Sequence, residues 1–213
     1  MYSQNSEDTL ALDYFNHKEG ATKLKTLLDI GANDGVTFSN SKFLIENGWL
    51  GFLLEPSEIA YAKCVETHKN NATNTFIFNL GIANETGEQV FLESASHLPN
   101  GKDISLLSCV PSRLTERLRR KVSFTEHKAM FYTFEDFEKK YLMEGDKFSY
   151  VSIDAEGYDW DILKQIDLKK YGVEMVCIEW NGIAQLADNF AHYCAPFGLT
   201  ELHRNEENII FAL

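Results

Sequence analysis

The sequence predicts an α/β fold built on a mostly parallel sheet, and three stretches carry that expectation. Leu27-Leu28-Asp29-Ile30 is an apolar run that ends in a glycine-bounded turn, Gly31-Ala32-Asn33-Asp34-Gly35, with a helical pattern from about Thr37. Gly51-Phe52-Leu53-Leu54 is a second apolar run, ending in Glu55-Pro56-Ser57. Residues 148–153 form a third, ending in Asp154-Ala155-Glu156-Gly157. Strand-length runs alternating with helical patterns read as strand–helix–strand units, and these place their strands parallel.

The elements follow in order. Residues 1–20 form an N-terminal helical segment, with Ser6 as its predicted cap and Glu7 and Asp8 in the first turn. The first strand is 25–30, and its helix runs to about Glu46, where Asn47-Gly48 tolerates the left-handed turn that ends it. The second strand is 50–55. Pro56 stops it, and Ser57 caps a helix that reaches about His68. Residues 75–80, β-branched and aromatic, are the third strand, with Gly81-Ile82-Ala83 at its end. Residues 87–92 are a short extra strand.

Residues 94–127 are a variable segment. Its Ser-rich part to about Ser112 contains the turn Pro99-Asn100-Gly101 and reads as a loop closing over an acceptor. His97 and His127 lie in or near it. Thr133 caps a helix that opens with Glu135 and Asp136. The fourth strand, 148–153, leads into a helix reaching about Ile166. The fifth, 173–178, ends in Glu179-Trp180-Asn181. A helix over 182–195 and a hairpin, 199–203 with 209–213, complete one domain over residues 1–213.

Composition bounds the function. At 213 residues the chain is long enough for one well-buried domain and too short for two ordinary ones. The net charge of -12 opposes a nucleic-acid partner over most of the surface. One basic cluster, Arg113, Arg117, Arg119, Arg120 and Lys121, reads as a solvated helix face or as a clamp for an acidic acceptor. No apolar run approaches membrane-spanning length, and no signal-peptide core is present. Cys64, Cys109, Cys177 and Cys194 form no C-x-x-C pair and read as reduced thiols of a cytoplasmic protein.

The chemistry lies at the strand ends. Gly31 and Gly35 let a ligand approach the backbone closely. Asp29 and Asp34 set negative charge there, which suits a nucleoside with a neutral or cationic tail better than a bare phosphate. Glu55, 24 positions after Gly31, can accept hydrogen bonds from both ribose hydroxyls. The dinucleotide fingerprint needs glycine at position 33, where this chain has Asn.

Five separated motifs resemble the FkbM family of S-adenosylmethionine-dependent methyltransferases. They are Ser3-Gln4-Asn5-Ser6-Glu7-Asp8, Leu28-Asp29-Ile30-Gly31-Ala32-Asn33-Asp34-Gly35, Gly48-Trp49, Glu55-Pro56-Ser57 and Ile153-Asp154-Ala155-Glu156-Gly157. The resemblance implies a Rossmann-like class I fold of seven strands, S-adenosyl-L-methionine as donor, and O-methylation of a small-molecule or glycan hydroxyl. It implies cofactor contacts at Gln4, Asp29, Gly31, Asn33, Asp34, Gly35, Glu55, Pro56, Asn79, Gly81, Ile82 and Asp154, with Glu7 a further candidate. In that fold Asp154 and Glu179 end neighbouring strands at the ligand-binding edge. They are candidates for general base, or, with Asn181, for ligands of Mg²⁺. Glu156 and Asp159 read as structural, and Tyr158 and Trp180 as rings able to stack on a sugar. An NAD(P)-dependent oxidoreductase and a non-catalytic nucleoside-binding protein remain the alternative readings.

Overall fold

The computed structural model describes residues 1–20, 24–94, 108–111 and 122–213. In chain order the elements are α1 (Glu7–His17), β1 (Thr26–Ile30), α2 (Lys42–Glu46), β2 (Leu50–Leu54), α3 (Glu58–Thr67), β3 (Thr75–Phe78), β4 (Gly81–Ile82), β5 (Gly87–Ser94) and β6 (Phe124–Tyr132). Then come α4 (Phe134–Tyr141), β7 (Tyr150–Ile153), α5 (Asp159–Leu163), α6 (Leu168–Tyr171), β8 (Met175–Glu179), α7 (Ala184–Cys194), β9 (Thr200–Arg204) and β10 (Asn208–Ala212).

The main sheet has seven strands in the order β3-β2-β1-β7-β8-β10-β9. The first five run parallel, and β10 is antiparallel to both β8 and β9. Ile30 is in register with Leu54 and with Ile153, so Gly31, Glu55 and Asp154 leave the sheet side by side. The order reverses at β1, and open α/β sheets bind ligands at the carboxyl edge of such a switch point.

Side chains alternate across each strand and fill two cores. Leu28, Ile30, Leu54, Val151 and Ile178 face Phe134, Phe137, Ile162 and Phe190. Leu27, Leu53, Tyr150 and Cys177 face Ala11, Leu44, Trp49 and Cys64. Phe15 meets Trp49 edge-on at 4.8 Å between ring centroids and docks α1. Each such large apolar side chain taken out of water stabilises the fold by about 1.5–3 kcal/mol. All four cysteines are buried free thiols. Among the described residues no helix is long and apolar enough to cross a membrane.

Four local expectations are corrected. The helix expected from Thr37 begins only at Lys42. Asp34 accepts from Val36 N, Thr37 N and Thr37 Oγ1, which ties 34–37 into an Asx turn, and Phe38 has φ 53°. Ser6 does not cap α1: it sits at φ 70° with no side-chain bond to the helix. The carboxylate of Asp8 takes Tyr2 N and Ser3 Oγ instead. The helix expected after Ile153, reaching about Ile166, is a turn followed by the short α5. Asp159 accepts from Ala155 N at 2.9 Å and Gly157 N at 3.0 Å, which stabilises a turn with Glu156 at φ 49°.

The fourth correction is a second sheet, β4-β6-β5. The extra strand is eight residues long and pairs antiparallel with β6, Gly87 opposite Phe131 and Ser94 opposite Phe124. The variable segment therefore ends inside a strand. His127 lies on β6, 3.2 Å from Glu93. His97 and the cluster Arg113–Lys121 fall outside the described residues.

Candidate active site

A cavity of about 270 Å³ opens at the carboxyl edge of β1, β2 and β7, and the second sheet forms its far wall. Gly31 is the closest point of the frame. At φ 91° it is left-handed, and a Cβ there would lie 1.8 Å from the carbonyl oxygen of Asp154. Its N–H and that of Ala32 both donate to Leu54 O, so the turn folds over the end of β2. This close packing of backbone on backbone is why the position needs glycine.

Glu55 is held from two sides. Oε2 accepts from Asn33 N at 2.9 Å and Oε1 from Ser57 N at 2.7 Å. The side chain is 6% exposed, and burial raises its pKa to about 7. A carboxylate has about four acceptor positions. Two are occupied, so each oxygen keeps one for a ligand hydroxyl.

The acids beyond Gly31 cluster more tightly than their spacing suggested. Asp154, Glu156 and Glu179 bring carboxylate oxygens within 4.8 Å of one another. Burial and then neighbouring acids raise all three pKa values, that of Asp154 to about 7. Glu179 Oε2 is buried without a partner. Glu156, read above as structural, thus joins the cluster, because its left-handed backbone turns it back toward Asp154 and Glu179. Asn181 is exposed, its side chain hydrogen-bonds to Glu179, and it is not among the lining residues. Asp159, as expected, holds the turn.

Of the other candidates, Gln4, Asp29, Asn33, Pro56, Gly81 and Ile82 line the cavity. Asp34, Gly35 and Asn79 do not. Asp34 ties the turn, Gly35 packs against Cys64 and His68, and Asn79 donates to Glu55 O and Pro56 O. Glu7 is not among the lining residues: it is buried and accepts from Asn205 and Asn208. Tyr158 lines it, whereas Trp180 donates to Asn205 O and lies against Arg204. Sequence reading missed Asn40 and Ser152, and the apolar wall of Phe91, Val110 and Phe131. The Ser39-Asn40 pair before α2 carried no pattern, and Phe91 and Phe131 belong to the unforeseen sheet.

Among the described residues the lining holds five carboxylates, Asp29, Glu55, Asp154, Glu156 and Glu179, and no Lys, Arg or His. Such a site offers no positive charge to a phosphate or pyrophosphate and favours neutral or cationic groups.

The fold is that of methyltransferases. The human methyltransferase 10 domain containing protein superposes with a TM-score of 0.50 at 12% identity, over 96% of this chain and 78% of that one. The delta-N METTL16 methyltransferase domain does so with a TM-score of 0.50 at 9% identity, over 100% and 84%. Residues 29–197 match the family model described as the methyltransferase FkbM domain, and the chain belongs to that family. No curated protein sequence matches it.

Proposed function

We propose that the chain is an S-adenosylmethionine-dependent O-methyltransferase acting on a hydroxyl of a sugar, glycan or glycosylated metabolite. The observation that carries the donor assignment is the five-carboxylate lining without a basic side chain among the described residues. A sulfonium and an ammonium fit it, whereas the pyrophosphate of NAD(P) does not. The free acceptor positions of Glu55 fit the two ribose hydroxyls. The family membership also favours methyl transfer over hydride transfer.

The chemistry is a displacement. The acceptor oxygen attacks the methyl carbon, the carbon–sulfur bond breaks with its electron pair going to sulfur, and the hydroxyl proton passes to Asp154. A base with pKa near 7 is matched to neutral pH. Holding oxygen and methyl in line supplies much of the rate. Phe91, Phe131 and Tyr158 would pack against the apolar face of the acceptor. Calorimetric titration with S-adenosylhomocysteine and with NAD⁺ tests the donor, and a glycan screen then tests the acceptor. Binding of NAD⁺ alone would overturn the reading.

A second reading of the acid cluster is a Mg²⁺ site. Asp154, Glu156 and Glu179 supply hard oxygen ligands, and the unpartnered Glu179 Oε2 fits a ligating role. The metal would acidify the acceptor hydroxyl. A rate untouched by exhaustive chelation leaves Asp154 as base alone.

A further inference from the structure

Asn40 lies on the loop between β1 and α2, lines the cavity, and is 7% exposed. The side-chain chemistry around it determines which way its amide points. Asp29 hydrogen-bonds the side chains of Ser41 and Ser152, its neighbour in register on β7. An ionised carboxylate only accepts, so the Ser152 hydroxyl donates to Asp29. Ser152 Oγ is then left to accept, and it takes Asn40 Nδ2 at 3.4 Å. That leaves Asn40 Oδ1, which is buried with no partner.

A buried amide oxygen without a donor is costly to keep. It is accounted for if a ligand supplies the donor. No cation lines the cavity among the described residues, and the surrounding carboxylates favour a positively charged donor. The cavity also leaves one donor unmatched, Asn33 Nδ2. A ligand end carrying both an ammonium and a carboxylate, an α-amino acid, matches that pair.

Resting on the S-adenosylmethionine reading, we propose that Asn40 Oδ1 accepts a hydrogen bond from the ammonium of the donor's amino-acid tail, with Asp29 and Ser152 as positioning residues that hold the amide in that orientation. Asn40 thereby selects donors that carry the ammonium.

The test uses the full chain and two probes. One is S-adenosylhomocysteine. The other is its desamino analogue, which keeps the carboxylate and lacks only the ammonium. The wild type is expected to bind the first about tenfold or more tighter, from one charge-assisted hydrogen bond. In Asn40→Ala that preference shrinks severalfold to the part the surrounding acids supply, while affinity for the desamino analogue changes less than threefold. A preference unchanged in Asn40→Ala, or absent from the wild type, overturns the proposal alone. Binding of neither probe by the wild type overturns the donor reading, and the proposal falls with it. If Asn40→Ala does not fold, Ser152→Ala carries the test: it frees the amide to rotate, so the preference should shrink severalfold. An unchanged preference in that variant overturns the relay.

Discussion

Replacing Glu55 by Gln probes the nucleoside pocket most directly. The carboxylate already accepts Asn33 N and Ser57 N, one on each oxygen, and keeps one acceptor position per oxygen. The amide keeps one oxygen and turns the other position into an NH₂ donor. That donor faces a backbone N–H and cannot accept from one ribose hydroxyl. Losing one hydrogen bond to a charged acceptor costs about 1.5–3 kcal/mol, which is roughly tenfold to a hundredfold in affinity. The pH dependence separates this from general damage. With a ligand-free pKa of about 7, Glu55 is mostly protonated at pH 6 and ionised at pH 8. If hydroxyls prefer the ionised form, wild-type affinity rises across that window, by at most about tenfold per pH unit for one proton. The Gln variant should lose this component. Titration calorimetry with S-adenosylhomocysteine at pH 6, 7 and 8 reads both effects. Unchanged affinity in Glu55→Gln, or the same pH slope in both proteins, would refute the two-hydroxyl assignment.

Other outcomes follow from the same geometry. Asp154→Asn should leave the melting temperature within a few degrees and lower turnover by about 10²–10⁴ if it removes the general base; wild-type turnover would sink that role. Gly31→Ala would set a Cβ 1.8 Å from Asp154 O at a left-handed φ. Overpacking of about 1–3 kcal/mol with backbone strain of about 1–2 kcal/mol should lower the melting temperature by roughly 10 °C in differential scanning fluorimetry. Asp29, Glu55 and Asp154 have folded pKa values of about 6, 7 and 7, above their ordinary values, through burial first. The folded state therefore binds more protons between about pH 4 and 7, and their contribution to stability is lost as pH rises through that range. The ligand-free protein should melt at a lower temperature at pH 8 than at pH 5.5, and a rising melting temperature would contradict the burial of these acids.

Most of the sheet was legible in the sequence because it is made of local signals. Apolar runs ending at Ile30, Leu54, Ile153 and Glu179 are strands wherever they occur in a parallel sheet, since both faces are buried. Caps such as Ser57 and Thr133 act within three residues and were read correctly. The second sheet was not legible. Most of β6 is exposed, so its sequence shows little apolar alternation, and its partner β5 lies some thirty positions away. The loop before α2 was misread for a related reason: Asp34 satisfies backbone donors that a helix would otherwise use.

Residue types and their order placed glycine, Glu55 and Asp154 at one sheet edge, because strand ends in register are a property of the parallel fold. The grouping of Glu156 with Asp154 and Glu179 depends on a left-handed turn held by Asp159, and the orientation of Asn40 depends on a serine 112 positions away. Such contacts come from folding geometry between distant segments, and a hydrogen bond over 3 Å leaves no periodicity in the chain that makes it.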